Sequence, residues 1–420
     1  MNTEDDFDAW FRLLQTPGIG REAARRLLAA CGTPAAVFAA GPGVWRELVS
    51  PAVAQALGST PSEFSARLAA ARHWLTAAPG RLVLTLGDPA YPDQLLQTAD
   101  PPLLMYLQGP EHLSRSALLA GLAVPSLALV GSRQATPQGR DNARNFAATL
   151  VQQGLAVVSG LAQGIDAAAH EGALQVLEAS GEAGGEAPAS VASVASAPSE
   201  PTTASIPTWP CTIAVVGTGL DRVYPRQHLA LARRIATQGL LLSEYAPGTP
   251  ALPEHFPQRN RIIAGLSLGT LVVEAAPRSG SLITARLASE AGREVFAIPG
   301  SIHAPQAQGC HGLIKQGAKL VETVADIVDE LRDDWRQPGA AIPRRGPAPT
   351  PAQRVLPMAT AAADTDPLLL ALGDDPVTLD ALLARTGEPT QVLLARLMEL
   401  EMDGQVARLP GGLYQRRRAG

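Results

Sequence analysis

The chain has 420 residues, 46% hydrophobic and 17% charged, a globular composition with core material for about two to four domains. A formal net charge of -5 excludes a protein that coats nucleic acid with its whole surface, so any such contact must rest on locally gathered positive charge. No run of ~18 apolar residues is present to span a membrane, and the acidic start, Met1 to Trp10, lacks the apolar segment of a signal peptide, so a cytoplasmic protein is expected.

Positive charge is carried almost wholly by arginine, whose fork suits phosphate; lysine occurs only at Lys315 and Lys319. Cys31, Cys211 and Cys310 lie far apart, and neither C-x-x-C nor H-E-x-x-H occurs, so no metal site is expected.

In chain order, residues 1–75 carry apolar residues at helical spacing, broken by Gly and Pro. Within them Leu14-Gln15-Thr16-Pro17-Gly18-Ile19-Gly20-Arg21 has the pattern of a helix-hairpin-helix, whose turn can present amides to a phosphate. Residues 82–109 suggest one short strand and a Pro-rich connector. From residue 127 a regular alternation begins, with apolar strands at 127–130, 155–158, 212–216, 240–242, 271–273 and 295–298 and a shorter one at 319–321. Helical patterns fill the gaps, which predicts an α/β domain over 76–335 with a doubly wound parallel sheet and right-handed crossovers. Residues 179–207, almost all Ala, Ser, Pro, Glu, Gly, Val and Thr, are expected to be a disordered insertion. Residues 336–365 read as a Pro/Ala-rich linker. Residues 366–420 show three helical patterns and a hairpin turned at Pro410-Gly411-Gly412, a winged helix-turn-helix.

Ligands of such sheets bind beyond the carboxyl ends of the strands, so the loops there are the candidate sites. Gly131-Ser132-Arg133 offers close backbone approach and a phosphate fork. The run from Ser159 through Gly160 and Gly164 to Asp166 opens a helix whose N-terminal amides attract anions. Gly217-Thr218-Gly219-Leu220-Asp221 is half a dinucleotide fingerprint without its third glycine. Phe256-Pro257-Gln258-Arg259-Asn260-Arg261 puts two arginines, an asparagine and an aromatic at one helix start, suited to phosphate contact and base stacking. Ser279-Gly280-Ser281, with Thr284 one turn on, adds amides and hydroxyls.

Plainer roles stand beside these. The glycines serve tight turns and packing equally well; Arg259 and Arg261 taken singly suit salt bridges to Glu244, Glu254 or Glu274; Phe256 suits packing. Asp166 and His170, one helical turn apart, suit a cap and a core role better than an acid–base pair. No P-loop occurs, and no catalytic residue or cofactor is expected. In the winged unit, the helical stretch 391–403 carries Arg396 against Glu399, Glu401 and Asp403, which favours protein contact over duplex reading.

Taken together, Val130-Gly131-Ser132-Arg133, the 159–166 loop, GTGLDRVYP at 217–225, FPQRNRIIAGLS at 256–267, VEAAPRSGSLITA at 273–285 and GCHGLIKQGA at 309–318 closely resemble the DNA-processing protein A (DprA/Smf) family. The resemblance implies an extended Rossmann-like domain flanked by an N-terminal helix-hairpin-helix (SAM-like) domain and a C-terminal winged helix. It also implies single-stranded DNA and RecA recombinase as partners, a homodimer, and a role in protecting incoming strands and loading RecA during natural transformation. It makes Gly131, Ser132 and Arg133 a phosphate clamp, continued by Phe256, Arg259, Asn260 and Arg261 and completed by Ser279, Gly280, Ser281 and Thr284. Lysines expected in such a groove are missing, and the 179–207 stretch has no counterpart in the family core.

On this reading backbone is held by amides and arginines while stacking tolerates any base, giving sequence-independent, salt-sensitive binding. Arg133→Ala or Arg259→Ala is then expected to weaken single-strand binding without unfolding the chain. The competing reading is an enzyme, a nucleotide phosphoribohydrolase of the lysine-decarboxylase-like fold. Its G-G-x-G-T-x-x-E loop is matched imperfectly at 265–270, where the double glycine is lacking and Glu274 comes one residue late. A third reading, a winged-helix regulator with a nucleotide-sensing core, is disfavoured by the acidic 391–403 helix.

Overall fold

The computed structural model describes residues 4–61, 63–182, 209–336, 366–373, 375–409 and 411–417. The chain begins with five helices: α1 (Glu4–Gln15), α2 (Arg21–Cys31), α3 (Pro34–Leu48), α4 (Pro51–Leu57) and α5 (Phe64–Thr76). Phe7, Trp10 and Phe11 recur at three- and four-residue spacing and bury one face of α1 against α3 and α5, where Phe11 meets the Phe64 ring at 5.9 Å. Gly18, at φ +80°, makes the turn between α1 and α2, a conformation that a β-carbon would strain. Thr33 caps α3, accepting from the Ala36 amide at 3.2 Å, with Pro34 in the first turn.

There follow β1 (Arg81–Thr85), α6 (Asp93–Leu96), β2 (Leu104–Gln108), α7 (Arg115–Ala120), β3 (Ser126–Val130), α8 (Pro137–Gln152), β4 (Ala156–Ser159) and α9 (Ile165–Glu182). After the undescribed 183–208 come β5 (Thr212–Val216), α10 (Leu229–Gln238), β6 (Leu240–Ser243), α11 (His255–Leu266), β7 (Gly269–Val272), α12 (Ser281–Glu290), β8 (Glu294–Ala297), α13 (Gln308–Lys315), β9 (Lys319–Leu320) and α14 (Val324–Arg336). Among the described residues nine strands form one sheet in the order β1-β2-β6-β5-β4-β3-β7-β8-β9, parallel from β6 to β9 and antiparallel where β2 joins β1 and β6. The strand β2 lies in the run expected to end a connector; a continuous Leu-Met-Tyr-Leu stretch buried on both faces pairs here because β6 offers its open edge.

Alternate strand residues feed two cores. Leu127, Leu129 and Val157 face α8, α9, α10, α14 and the N-terminal helices. Ala128, Val130 and Val158 face α6, α7, α11, α12 and α13. Fully burying each such Val or Leu is worth at most ~1.5–3 kcal/mol. The chain winds from β3 to β6 on one side and then, by α11, returns to place β7 on the other edge of β3, so the topological switch lies between β3 and β7.

The helix α9 runs to Glu182, so residues 179–182 of the expected disordered insertion are helical; the remainder of that stretch lies outside the described residues. So does the expected linker, apart from Arg336, which closes α14. The winged unit comprises α15 (Pro367–Leu372), β10 (Val377–Thr378), α16 (Leu379–Thr386), α17 (Thr390–Met402), β11 (Val406–Leu409) and β12 (Leu413–Arg416). Its sheet has the order β10-β12-β11 around a core of Leu368, Leu372, Leu382, Leu393, Leu397 and Tyr414. It docks on α8 through Arg385, whose guanidinium donates to Ala371 O, Gln138 Oε1 and Asp141 Oδ2, each at 3.0 Å. No helix among the described residues is long and apolar enough to cross a membrane by itself.

Candidate nucleic-acid interface

At the β3/β7 switch the Ser132 and Thr136 amides already have partners within the chain. Ser132 N donates to Glu274 O at 2.7 Å. The Glu274 carboxylate accepts from Thr136 N (3.0 Å) and Thr136 Oγ1 (2.5 Å), while that hydroxyl accepts from Gly139 N to cap α8. Burial pushes the Glu274 carboxyl upward, against the pull of the Thr136 bonds. The second loop is filled in the same manner: Asp166 Oδ2 accepts from Gly160 N (3.1 Å) and Ala162 N (3.3 Å). The anion site expected at Ser159–Asp166 therefore holds the chain's own Asp166 carboxylate, while in the Gly131–Arg133 loop the Ser132 amide is taken by the Glu274 carbonyl. The glycines serve close approach: a β-carbon at Gly131 would overlap Ile165, one at Gly160 the Arg259 guanidinium, and one at Gly164 (φ +81°) the Ser132 carbonyl.

Arg259 points inward. It is 4% exposed, donates through Nη1 to Val215 O, and sets Nη2 4.0 Å from Asp166 Oδ2. Burial lowers it to about 10 while Asp166 pulls the other way. This corrects the expectation that Arg259 lines a groove: it is a buried clamp under the ends of β4 and β5. Arg261 is also withdrawn, with both terminal contacts to Glu244 at 2.6 Å and Nε 3.0 Å from Asp100. Arg21 joins the same carboxylates at 2.8 and 3.6 Å, and Arg25 pairs with Asp100, so the network ties α2 to the rim. Ser132, Ser159, Ser281 and Thr284 are buried. Ser159 Oγ donates to Leu129 O, and Ser279 and Ser281 bond each other at 2.7 Å. Asn260 is half-buried and donates to the exposed Gly280 at 3.4 Å.

What faces solvent is a basic depression of about 310 Å³ between α8, α9 and the turn at 226–228. It is lined by Arg133, Arg140, Arg144, Gln163, Gln227 and His228, with Glu171 at one wall. The Arg133 guanidinium lies 5.7 Å from the Phe256 ring centre, and Phe256 meets the exposed Tyr224 at 5.3 Å, tilted by 40°. Cation and rings thus form one accessible ladder. Arg144 is held at 3.0 Å by Glu171 and 3.3 Å by Asp141. His228 Nδ1 donates to the carbonyl of Leu161, itself at φ +57°. Arg140, Arg144, Tyr224 and His228 were not singled out from sequence; Arg140 and Arg144, four apart on one helix, carried a usable signal.

Asp166 and His170 do not pair. Thr212 Oγ1 donates to Val157 O, so it accepts from His170 Nδ1 (2.7 Å) and leaves Nε2 without a proton or partner. Burial lowers His170 to about 3. The unfolded chain takes up this proton below an ordinary value of about 6.5 while the folded chain does not until about pH 3, so stability present above pH 6.5 is lost on acidification through that window. At pH 5 the loss from this group is about 2 kcal/mol. Urea titrations at pH 7 and 5 should show a smaller pH difference for His170→Gln than for the parent; equal differences would refute the assignment.

A family model described as DNA recombination-mediator protein A matches residues 82–193 and 199–332, and one described as DprA winged helix domain matches 347–412. Protein Smf of Escherichia coli (strain K12) is 38% identical over 348 residues, covering 82% of this chain and 80% of that protein. The DNA processing protein DprA of Streptococcus pneumoniae is 42% identical over 244 residues, 58% of this chain and 72% of its own. The X-ray structure of DNA processing protein A from Streptococcus pneumoniae superposes with a TM-score of 0.55 at 35% identity, covering 77% of this chain and 97% of that one.

Proposed function

This chain belongs to the DNA recombination-mediator protein A (DprA/Smf) family, and from that membership we propose that it binds single-stranded DNA along its basic rim without reading sequence. The observation that carries the reading is the solvent-facing cluster of Arg133, Arg140 and Arg144 beside the Phe256–Tyr224 ladder, in a chain of net negative charge. Guanidinium groups hold phosphates, and unpaired bases stack on rings that a duplex cannot reach. The partners that follow are a second copy, giving two linked grooves and greater avidity, and the recombinase RecA, which takes over the protected strand during transformation and recombination. The role is binding and delivery rather than catalysis. The phosphoribohydrolase alternative requires a carboxylate facing its ligand, whereas Glu274 is engaged by Thr136 at the start of α8.

Fluorescence anisotropy with labelled single-stranded and duplex oligonucleotides, between about 50 and 200 mM salt, tests this. Tighter single-strand binding is expected, with a log–log salt slope of about -2 for three phosphate contacts. Equal or tighter duplex binding refutes the proposal. For delivery, RecA should nucleate faster on strands coated with single-strand-binding protein when this protein is added.

A further inference from the structure

The winged unit places its third helix where duplex-binding proteins of this architecture carry their reading helix, yet α17 is built otherwise. At ~100° per residue, its buried face comprises Leu393, Leu397 and Leu400. Met398 and Met402 lie on the opposite side, 66% and 84% exposed with the whole chain present. Exposed Leu394 flanks them on one side with Glu401, and exposed Val392 on the other with Glu399 and Asp403. The helix has one cation, Arg396, which is held by Asp366 at 3.1 Å and Glu399 at 3.5 Å. Residues 366–420 carry eight acidic side chains against six arginines. A duplex phosphate backbone would be repelled by this face.

We propose that the outer face of α17 is a docking surface for a basic, amphipathic helical segment of a protein partner. Methionine side chains, unbranched and polarizable, adapt to the apolar stripe of such a segment. The acidic flanks select basic neighbours to that stripe and steer their approach. Docking of the winged unit on the core leaves the face open, because the anchor Arg385 belongs to α16 and its partners on the core, Gln138 and Asp141, to α8. The proposal is independent of the single-strand site.

The test uses the full chain and a fluorescein-labelled peptide of about five helical turns with Leu on one face and Lys on the other. A peptide with Glu in place of Lys, and a duplex oligonucleotide, serve as comparisons. The Leu/Lys peptide should bind and the Leu/Glu peptide should not. Met398→Ser with Met402→Ser, and separately Glu399→Lys with Glu401→Lys, should each weaken Leu/Lys binding by about tenfold or more. Neither pair is buried, so thermal melts should match the parent, and single-strand affinity should stay within about twofold. The proposal is overturned if the Leu/Lys peptide does not bind, if it binds both variants as it binds the parent, or if the methionine substitutions abolish duplex binding instead.

Discussion

Arg259→Ala is expected to destabilise the fold by about 3–5 kcal/mol, because it strands a buried charge. The guanidinium fills the space above Gly160, donates to Val215 O, and is the cation nearest the buried Asp166 carboxylate. Its removal leaves Asp166 with the Gly160 and Ala162 amides alone and leaves the Val215 carbonyl without that donor. The melting temperature should fall by about 10 °C. Lysine cannot substitute, since a single ammonium cannot reach both partners as the fork does. Removing both charges, by Arg259→Met with Asp166→Asn, should recover at least half of the loss, because a neutral replacement of the pair avoids the unpaired ion. Equilibrium urea unfolding of the three proteins measures this. A loss under about 1 kcal/mol for Arg259→Ala would return that arginine to the surface. Single-strand affinity, measured well below the melting transition, should change little.

The opposite pattern is expected at the rim. Arg133→Ala should weaken single-strand binding about 10- to 100-fold, the consequence of losing one charge-assisted contact of ~1.5–3 kcal/mol. The salt slope should fall by about 0.7, one phosphate fewer. Stability should hold within about 0.5 kcal/mol, since the side chain is exposed. Arg144→Ala should cost less than Arg133→Ala, because Arg144 must leave Glu171 and Asp141 before it meets a phosphate. By the same logic Glu171→Gln should tighten binding and steepen the salt slope. An Arg133→Ala protein with the parent's affinity and slope would remove the depression from consideration as the binding site.

These two arginines mark the boundary between what sequence carries and what it hides. The strand–helix alternation from residue 127 onward, the parallel sheet and the rim loops follow from period and composition, which act locally. The three-helix winged unit was equally legible, and so was the acidic character of α17, because charge along a short helix needs no tertiary information. Arg140 and Arg144 were within reach at four-residue spacing on α8. Nothing local reveals that Arg259 turns inward while Arg133 turns out, since both follow or precede glycine-rich rim loops and both suit phosphate.

The amide cradles make the same point at longer range. Glu274 caps a helix whose Thr136 lies 138 residues earlier, and it does so only because β7 returns to the open edge of β3. Sequence by itself determined the fold class, the family and the rim on which binding is sought, since these depend on apolar periodicity and on short motifs. Tertiary structure alone decided which of the rim's polar groups remain free for a ligand, because a buried charge or amide takes whatever partner the chain's winding brings within hydrogen-bonding distance.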